Sequence, residues 1–109
     1  MKPKFIFIYV TCPNKTVAKR LATKIVEKKL AACANILPGM ESLYFWENRL
    51  ESARETVLIL KTRSSLFKKV EAAVKTLHPY ECPCIVALPV RDGSKGYLQW
   101  LADETVRSL

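Results

Sequence analysis

The chain has 109 residues, of which 50% are apolar and 26% are charged, and its formal net charge is +8. These values are typical of a single folded domain over residues 1–109 and exclude a disordered chain. The positive charge by itself indicates no partner, because net charge acts on solubility and long-range steering. Basic side chains collect in one predicted helix, at Lys15, Lys19, Arg20, Lys24, Lys28 and Lys29, and acidic ones in the next segment, at Glu41, Glu47, Glu51 and Glu55.

The N-terminal segment has basic residues before an apolar run, as an export signal does. The run covers only Phe5 to Val10, which is shorter than the ~7–15 apolar residues of such a signal. No stretch reaches the ~18 apolar residues of a membrane-spanning helix. We therefore predict a cytoplasmic protein with no membrane partner and with reduced thiols. The cysteines are Cys12, Cys33, Cys82 and Cys84.

The first half of the chain predicts a strand, a helix and a long hairpin. Residues 4 to 11 alternate Phe and Ile without a polar face, which is typical of a strand buried on both sides. Asn14 is placed to cap a helix over Lys15 to Leu30, whose apolar residues recur at helical spacing. In the long strand that follows, Pro38-Gly39 predicts a bulge or an edge position. The charged residues from Asn48 to Arg54 predict the turn into the second long strand.

The second half predicts a helix, a strand and a short trailing helix. Ser64 or Ser65 can cap a helix that Pro79 ends. Residues 84 to 90 form an apolar run that predicts a fourth buried strand. In the third helix we expect the apolar side chains on one side, and they are Tyr97, Leu98, Trp100 and Leu101.

The order strand, helix, strand, strand, helix, strand predicts an α+β ferredoxin-like fold, with an extended hairpin between strands 2 and 3 and a C-terminal helix. Right-handed crossovers place both main helices on one face of a four-stranded antiparallel sheet. The other face would be bare, although strands 1, 3 and 4 have apolar residues on both sides. Monomers rarely expose so large an apolar surface. We therefore expect self-association, with the hairpin reaching a neighbouring subunit.

Several segments resemble, in order and spacing, the CutA family of divalent-cation tolerance proteins: AACANILPG, SLYFWE, ILKT, HPYE, ALPV and GYLQWL. The resemblance covers nearly the whole chain. It implies a compact homotrimer of ferredoxin-like subunits, similar to the PII signalling proteins. It also implies a ligand or metal site in the clefts between subunits and a link to copper tolerance.

A candidate metal site lies beside the only histidine. Imidazole, sulfur and carboxylate ligands bind copper or another divalent metal, and the candidates are His78, Glu81, Cys82 and Cys84. Alternatively, His78 is a helix C-terminal residue that bonds backbone carbonyls, and the two cysteines are small buried apolar residues. Some relatives have a second His and a strand-1 Cys linked to copper binding, where this chain has Leu77 and Val10.

A candidate ligand cleft rests on the resemblance, which places four residues near the contact between subunits: Tyr44, Trp46, Lys61 and Tyr80. Aromatic walls with one cation suit a small anionic or planar ligand. Packing across the trimer contact is the alternative, and the two roles are compatible.

The sequence predicts no enzyme. It has no nucleophile with a second histidine or acid partner and no phosphate-binding glycine loop. The helix dipole favours a thiolate at Cys12, but no second cysteine lies at redox spacing. Nucleic acid is not expected either, because ETVLILK in the third strand lacks the aromatic and glycine residues of an RNA-recognition domain.

Three functions remain open at this point. The first is a trimeric protein that responds to or binds a divalent metal such as copper. The second is a PII-like sensor that holds a small anion between subunits. The third is a stable, non-catalytic trimeric scaffold.

Overall fold

The computed structural model describes residues 4–106, and the ends of the predicted domain 1–109 lie outside them. Its elements are β1 (Phe5–Cys12), α1 (Lys15–Glu27), β2 (Cys33–Trp46), β3 (Arg49–Arg63), a 3-10 turn (Ser64–Leu66), α2 (Phe67–Leu77), β4 (Ile85–Val90) and α3 (Lys95–Asp103). All strand pairs are antiparallel, in the order β2-β3-β1-β4. The predicted α+β class and the order of the elements are confirmed.

Helices α1 and α2 cover one face of the sheet. The α1 helix begins at Asn14, as predicted, because its Oδ1 accepts a hydrogen bond of 2.9 Å from the backbone N–H of Val17. The sheet residues beneath the two helices are almost fully buried: Ile6, Ile8, Val10, Cys12, Leu58 and Leu60. The basic residues of α1 lie on its exposed side. Within residues 4–106, no helix is long and apolar enough to cross a membrane.

The opposite face is not entirely bare, because α3 covers one end of it. Phe5 packs there with Leu101 and Ala102 of α3. The guanidinium of Arg63 ties the helix to β3 by donating to the carbonyl of Ala102 (2.6 Å) and the hydroxyl of Thr105 (2.9 Å). The contact of α3 with this face was not predicted from the sequence.

Within residues 4–106, no helix packs over the rest of this face except where Tyr97 of α3 meets Lys61, and we call it the open face. Register and side-chain alternation place six residues on it: Phe7, Tyr9, Ile59, Lys61, Val86 and Leu88. Val86 and Leu88 remain about half exposed. The prediction of apolar side chains on both faces is therefore confirmed for these strands.

The β2-β3 hairpin turns at Glu47-Asn48, not over residues 48 to 54 as predicted. Trp46 pairs with Arg49, so only two residues form the loop, and both have positive φ (50° and 64°). Two such residues form the turn that matches strand twist, and Asn tolerates this conformation well. The charged residues that predicted a longer turn belong to β3, whose side chains near the tip are exposed.

The predicted irregularity at Pro38-Gly39 is confirmed. The register between β2 and β3 shifts between Leu37 and Met40, and Gly39 has a φ of 83°. β2 is also an edge strand, where the missing N–H of a proline is tolerated.

Three local predictions need correction. β4 is an edge strand that is largely exposed, not a buried one. The apolar residues of α3 divide: Leu101 is fully buried, whereas Tyr97 and Trp100 are exposed. Ser64 lies in a 3-10 turn, and Leu66 is at the N-cap of α2.

The cap at Asn14 gives a first test of this fold. Replacing Asn14 by Ala removes the acceptor for the Val17 amide and should lower the free energy of unfolding by about 1 kcal/mol. Urea denaturation measures this loss. Asn14→Ser keeps an acceptor and should stay close to the parent chain. Equal stability of Asn14→Ala and the parent would contradict the assignment.

Candidate functional site

A groove of ≈ 920 Å³ opens where β1, the hairpin and the segment after α2 meet. We call it the groove, and its lining is Thr11, Tyr44, Trp46, Glu55, Tyr80, Glu81, Cys82 and Cys84. Thr11 lies on the same side of β1 as Phe7 and Tyr9, at the end away from Phe5. The groove therefore adjoins the open face, at the end opposite α3.

The hairpin supplies the aromatic wall of the groove. Tyr44 and Trp46 are two apart on β2, so their side chains point to the same side. Both are accessible, with 43% and 66% of their surface exposed. The prediction that these two residues and Tyr80 share one cavity wall agrees with the lining.

Glu55 is the central acid of the groove. Its Oε1 accepts a hydrogen bond of 2.8 Å from the hydroxyl of Ser42, and its Oε2 accepts one of 3.1 Å from the phenol of Tyr80. Both donors are neutral groups, so neither supplies a counter-charge to the carboxyl group. Burial, reinforced by this bond and by the charge of Glu55, raises the pKa of Tyr80 to about 12.

His78 holds the segment that carries Tyr80. Its Nε2 lies 2.8 Å from the carbonyl of Thr11, and its Nδ1 accepts a bond of 3.1 Å from the N–H of Tyr80. A carbonyl only accepts and an amide only donates, so the ring is neutral with its proton on Nε2. The ring also packs on that of Tyr80, with centroids 4.7 Å apart. His78 is buried and positions Tyr80, and neither ring nitrogen has a free lone pair for a metal.

Cys82 and Cys84 are exposed in the groove, so the alternative that they are buried apolar residues is wrong. Burial, with a smaller effect of Glu55, raises the pKa of the Cys84 thiol. The same two causes raise the pKa of Cys12 to about 11. Cys12 is fully buried, and the thiolate expected from the helix dipole is not favoured there.

Lys61 does not line the groove of this chain, so a cation beside the aromatic wall in a cleft between subunits stays a prediction. It lies six residues beyond Glu55 on β3, about 20 Å away at ~3.3 Å per residue. Its Nζ lies over the rings of Phe7 and Tyr97, at 5.0 and 5.7 Å from their centroids. The charge of the groove is therefore acidic.

The four predicted metal ligands do not form a coordination group within one chain. Glu81, Cys82 and Cys84 line the groove, whereas His78 lies beneath it with both nitrogens bonded. Across residues 4–106, no three His, Cys, Asp or Glu side chains converge in a way that could hold a metal.

The predicted site residues do not include Glu55, Ser42 or Thr11. From the sequence, Glu55 was grouped with the acidic residues of the hairpin. A two-residue turn at Glu47-Asn48 pairs Tyr44 with Glu51 and therefore places Glu55 on the same strand face as Glu51. That signal was available in Asn48. Nothing local in the sequence marked Thr11.

The comparisons with known proteins agree with one another. The family model described as CutA1 divalent ion tolerance protein matches residues 6–104. The divalent-cation tolerance protein CutA of Archaeoglobus fulgidus is 48% identical over 100 residues, which are 92% of this chain and 96% of that protein. The solved structure of CutA1 from Oryza sativa superposes with a TM-score of 0.94 at 46% identity, covering 98% of each chain. That of the Thermus thermophilus protein gives 0.91 at 41% identity, covering 94% of this chain and 99% of that one.

These matches cover nearly all of the described residues, and they agree on one family, which is described as divalent ion tolerance proteins. The chain belongs to the CutA1 family. It spans 58% and 55% of the chloroplastic CutA proteins of rice and Arabidopsis thaliana. The solved Archaeoglobus structure is described as periplasmic.

The bond between Tyr80 and Glu55 gives a second test. Glu55→Gln removes the negative charge that opposes ionisation, so the pKa of Tyr80 should fall from about 12 toward its usual ~10, with burial still holding it above that value. Ultraviolet absorbance of the phenolate during an alkaline titration measures the change.

Two variants assign the titration step. Tyr80→Phe should remove the step near pH 12, whereas Tyr97→Phe, which changes a phenol on α3, should leave it. The raised pKa of Tyr80 contributes its full stabilisation of the fold below the unfolded pKa of about 10. This stabilisation should be lost as the pH rises from about 10 to about 12. An unchanged step in Glu55→Gln would contradict the contact.

Proposed function

We propose that this protein acts in divalent-cation tolerance as a PII-like homotrimer of ferredoxin-like subunits, and that the groove becomes an intersubunit cleft that binds a divalent metal or copper. One observation carries this proposal: the charged side chain bonded within the groove is the carboxylate of Glu55, and Lys61 is elsewhere. We propose no catalytic activity.

The chemistry of the lining favours a cation. Glu55 and Glu81 offer carboxylate oxygens, and Cys82 and Cys84 offer sulfur. Among residues 4–106, no Lys or Arg lines the groove, although the chain has a net charge of +8. Carboxylates suit hard ions and sulfur suits softer ones such as Cu(I) and Zn(II), so this mixed set supports a borderline or soft metal.

A second subunit would complete the site. Within residues 4–106 one chain offers no group of three converging ligands, and most metal sites need at least that number. The open face and the hairpin tip provide a surface for association, since Phe45 at the tip is 75% exposed. A closed ring of three chains would cover these surfaces and bring donors of neighbouring chains together.

The alternatives keep less support. A PII-like sensor for a small anion would need a cation in the cleft, and Lys61 of the same chain is about 20 Å from Glu55. A scaffold without a ligand would give no function to the carboxylates and thiols that line the groove. The predicted cytoplasmic location stays a prediction, since the relatives named above include chloroplastic and periplasmic proteins.

The trimer gives a third prediction. Sedimentation velocity at micromolar concentration should show one species with three times the mass of the 12.4 kDa chain. The physical reason is that an open apolar face is removed from water by a closed assembly. A stable, well-folded single chain under these conditions would overturn the assembly and the intersubunit cleft with it.

The metal gives a fourth prediction. Calorimetric titration with Zn(II), and with Cu(I) under reducing conditions, should show saturable binding that the double variant Cys82→Ser, Cys84→Ser weakens at least about tenfold, or ~1.4 kcal/mol. Affinity should increase with pH, because burial raises the pKa of Cys84 and the metal must displace that proton.

Cys33 supplies a matched control. It is a free, partly exposed thiol that pairs with Lys61 at the other end of the hairpin, away from the groove. Cys33→Ser should bind both metals as the parent does. The proposal fails if neither metal binds, or if Cys33→Ser loses as much affinity as the groove variant.

A further inference from the structure

Three aromatic side chains line the groove together, and all three are accessible in the single chain. They are Tyr44, Trp46 and Tyr80, with 43%, 66% and 38% of their surface exposed. Tyr44 and Trp46 project from one side of β2, whereas Tyr80 comes from the segment after α2. Rings from two separate parts of the chain therefore border the same space.

The groove contains a negatively charged group. The carboxylate of Glu55 is fixed by two neutral donors, Ser42 and Tyr80, at 2.8 and 3.1 Å. Among residues 4–106, the ion pairs are Lys29 with Glu104, Lys75 with Glu71 and Arg91 with Asp92, so no basic side chain neutralises Glu55. A positioned negative charge thus faces an aromatic space.

We propose that the groove binds an organic cation, a quaternary or alkylated ammonium group, with the aromatic rings contacting its methyl groups and Glu55 as the counter-charge. Ring faces attract cations through their quadrupole, and the attraction increases as the site excludes water. Alkylated ammonium ions are weakly hydrated, so they lose less hydration free energy on leaving water than an unalkylated ammonium ion does.

The size and donors of the groove distinguish this ligand from a metal ion. A volume of ≈ 920 Å³ is suited to an organic molecule, and ring carbons offer no lone pair to a metal. The organic cation would share the groove and Glu55 with the proposed metal, but it uses the rings of Tyr44 and Trp46 where the metal uses the two thiols, so it does not need metal binding.

The hydrogen bond from Tyr80 to Glu55 also holds the groove in one geometry. The phenol of Tyr80 donates to Oε2 of Glu55 at 3.1 Å, which fixes the ring and the carboxylate relative to each other. His78 bonds the backbone of Tyr80 and packs on its ring. The ring and the carboxylate are thus positioned before a ligand arrives, which lowers the entropic cost of binding.

The test uses tetramethylammonium and a neutral molecule of similar size, tert-butanol. The chain has two tryptophans, so Trp100→Phe leaves Trp46 as the only indole reporter. Tetramethylammonium chloride should change Trp46 fluorescence saturably, against sodium chloride at equal ionic strength. tert-Butanol should produce no saturable change, because it lacks the charge. A similar response to both, or no saturable response to tetramethylammonium, would overturn the proposal.

Two acid variants in the same background locate the counter-charge. Glu55→Gln should weaken binding at least about threefold. Glu41→Gln removes the same charge from the other side of β2, since Glu41 is next to Ser42 and alternate side chains point to opposite faces; Glu41 is outside the groove lining, and this variant should bind as the parent does. Equal losses in both variants would mean diffuse attraction to an acidic hairpin and would overturn the assigned site.

A further variant covers the case in which Glu55→Gln disturbs the fold. Tyr44→Leu keeps an apolar side chain but removes a ring, and it should weaken tetramethylammonium at least about threefold. Parent affinity in a folded Tyr44→Leu would refute the aromatic contact. The Zn(II) titration is an independent test. If Zn(II) does not bind but tetramethylammonium does, only the metal proposal is refuted. If Zn(II) binds but tetramethylammonium does not, only the organic-cation proposal is refuted.

Discussion

The pairing of β2 with β3 is the constraint on which the rest of this structure depends. Two features set its register: the two-residue turn at Glu47-Asn48 and the irregularity at Pro38-Gly39. A slip of one residue would turn every side chain of a strand to the opposite face. Ser42 could then no longer donate to Glu55, and Tyr44 and Trp46 would leave the groove. The same register therefore determines both the hairpin and the candidate site.

The helices add a second constraint because they cover the sheet unequally. α1 and α2 bury one face, and α3 covers only the end of the other near Phe5. The open face remains beside the groove, with Val86 and Leu88 about half exposed. A surface of this kind is stable in water mainly when another surface covers it. The fold of one subunit and the proposed assembly are thus consequences of the same distribution of helices.

The sequence predicted features that depend on local chemistry. Asn14 is recognisable as a cap because its side chain reaches an amide three residues away, and Pro38-Gly39 disturbs any strand that contains it. The order of elements followed from periodicity. The CutA family was recognised from segments that the comparisons then matched over residues 6–104.

What the sequence could not predict depends on contacts between distant segments. Lys61 lies over Phe7 and Tyr97 of its own chain, and this position follows from the β1-β3 register. His78 had the residue type of a ligand, but its nitrogens are used by Thr11, 67 residues away, and by Tyr80. Glu55 was missed since its role depends on where the hairpin turns.

The separation of charge explains how a protein of net charge +8 can present an acidic groove. The basic residues of α1 are exposed on the helix layer, whereas the groove adjoins the opposite face of the sheet. Packed layers are ~10 Å apart, which is about one Debye length at physiological salt. Solvent-exposed lysines at that distance are largely screened, while Glu55 is bonded inside the groove. The local carboxylate therefore gives the groove an acidic character that differs from the net charge of the chain.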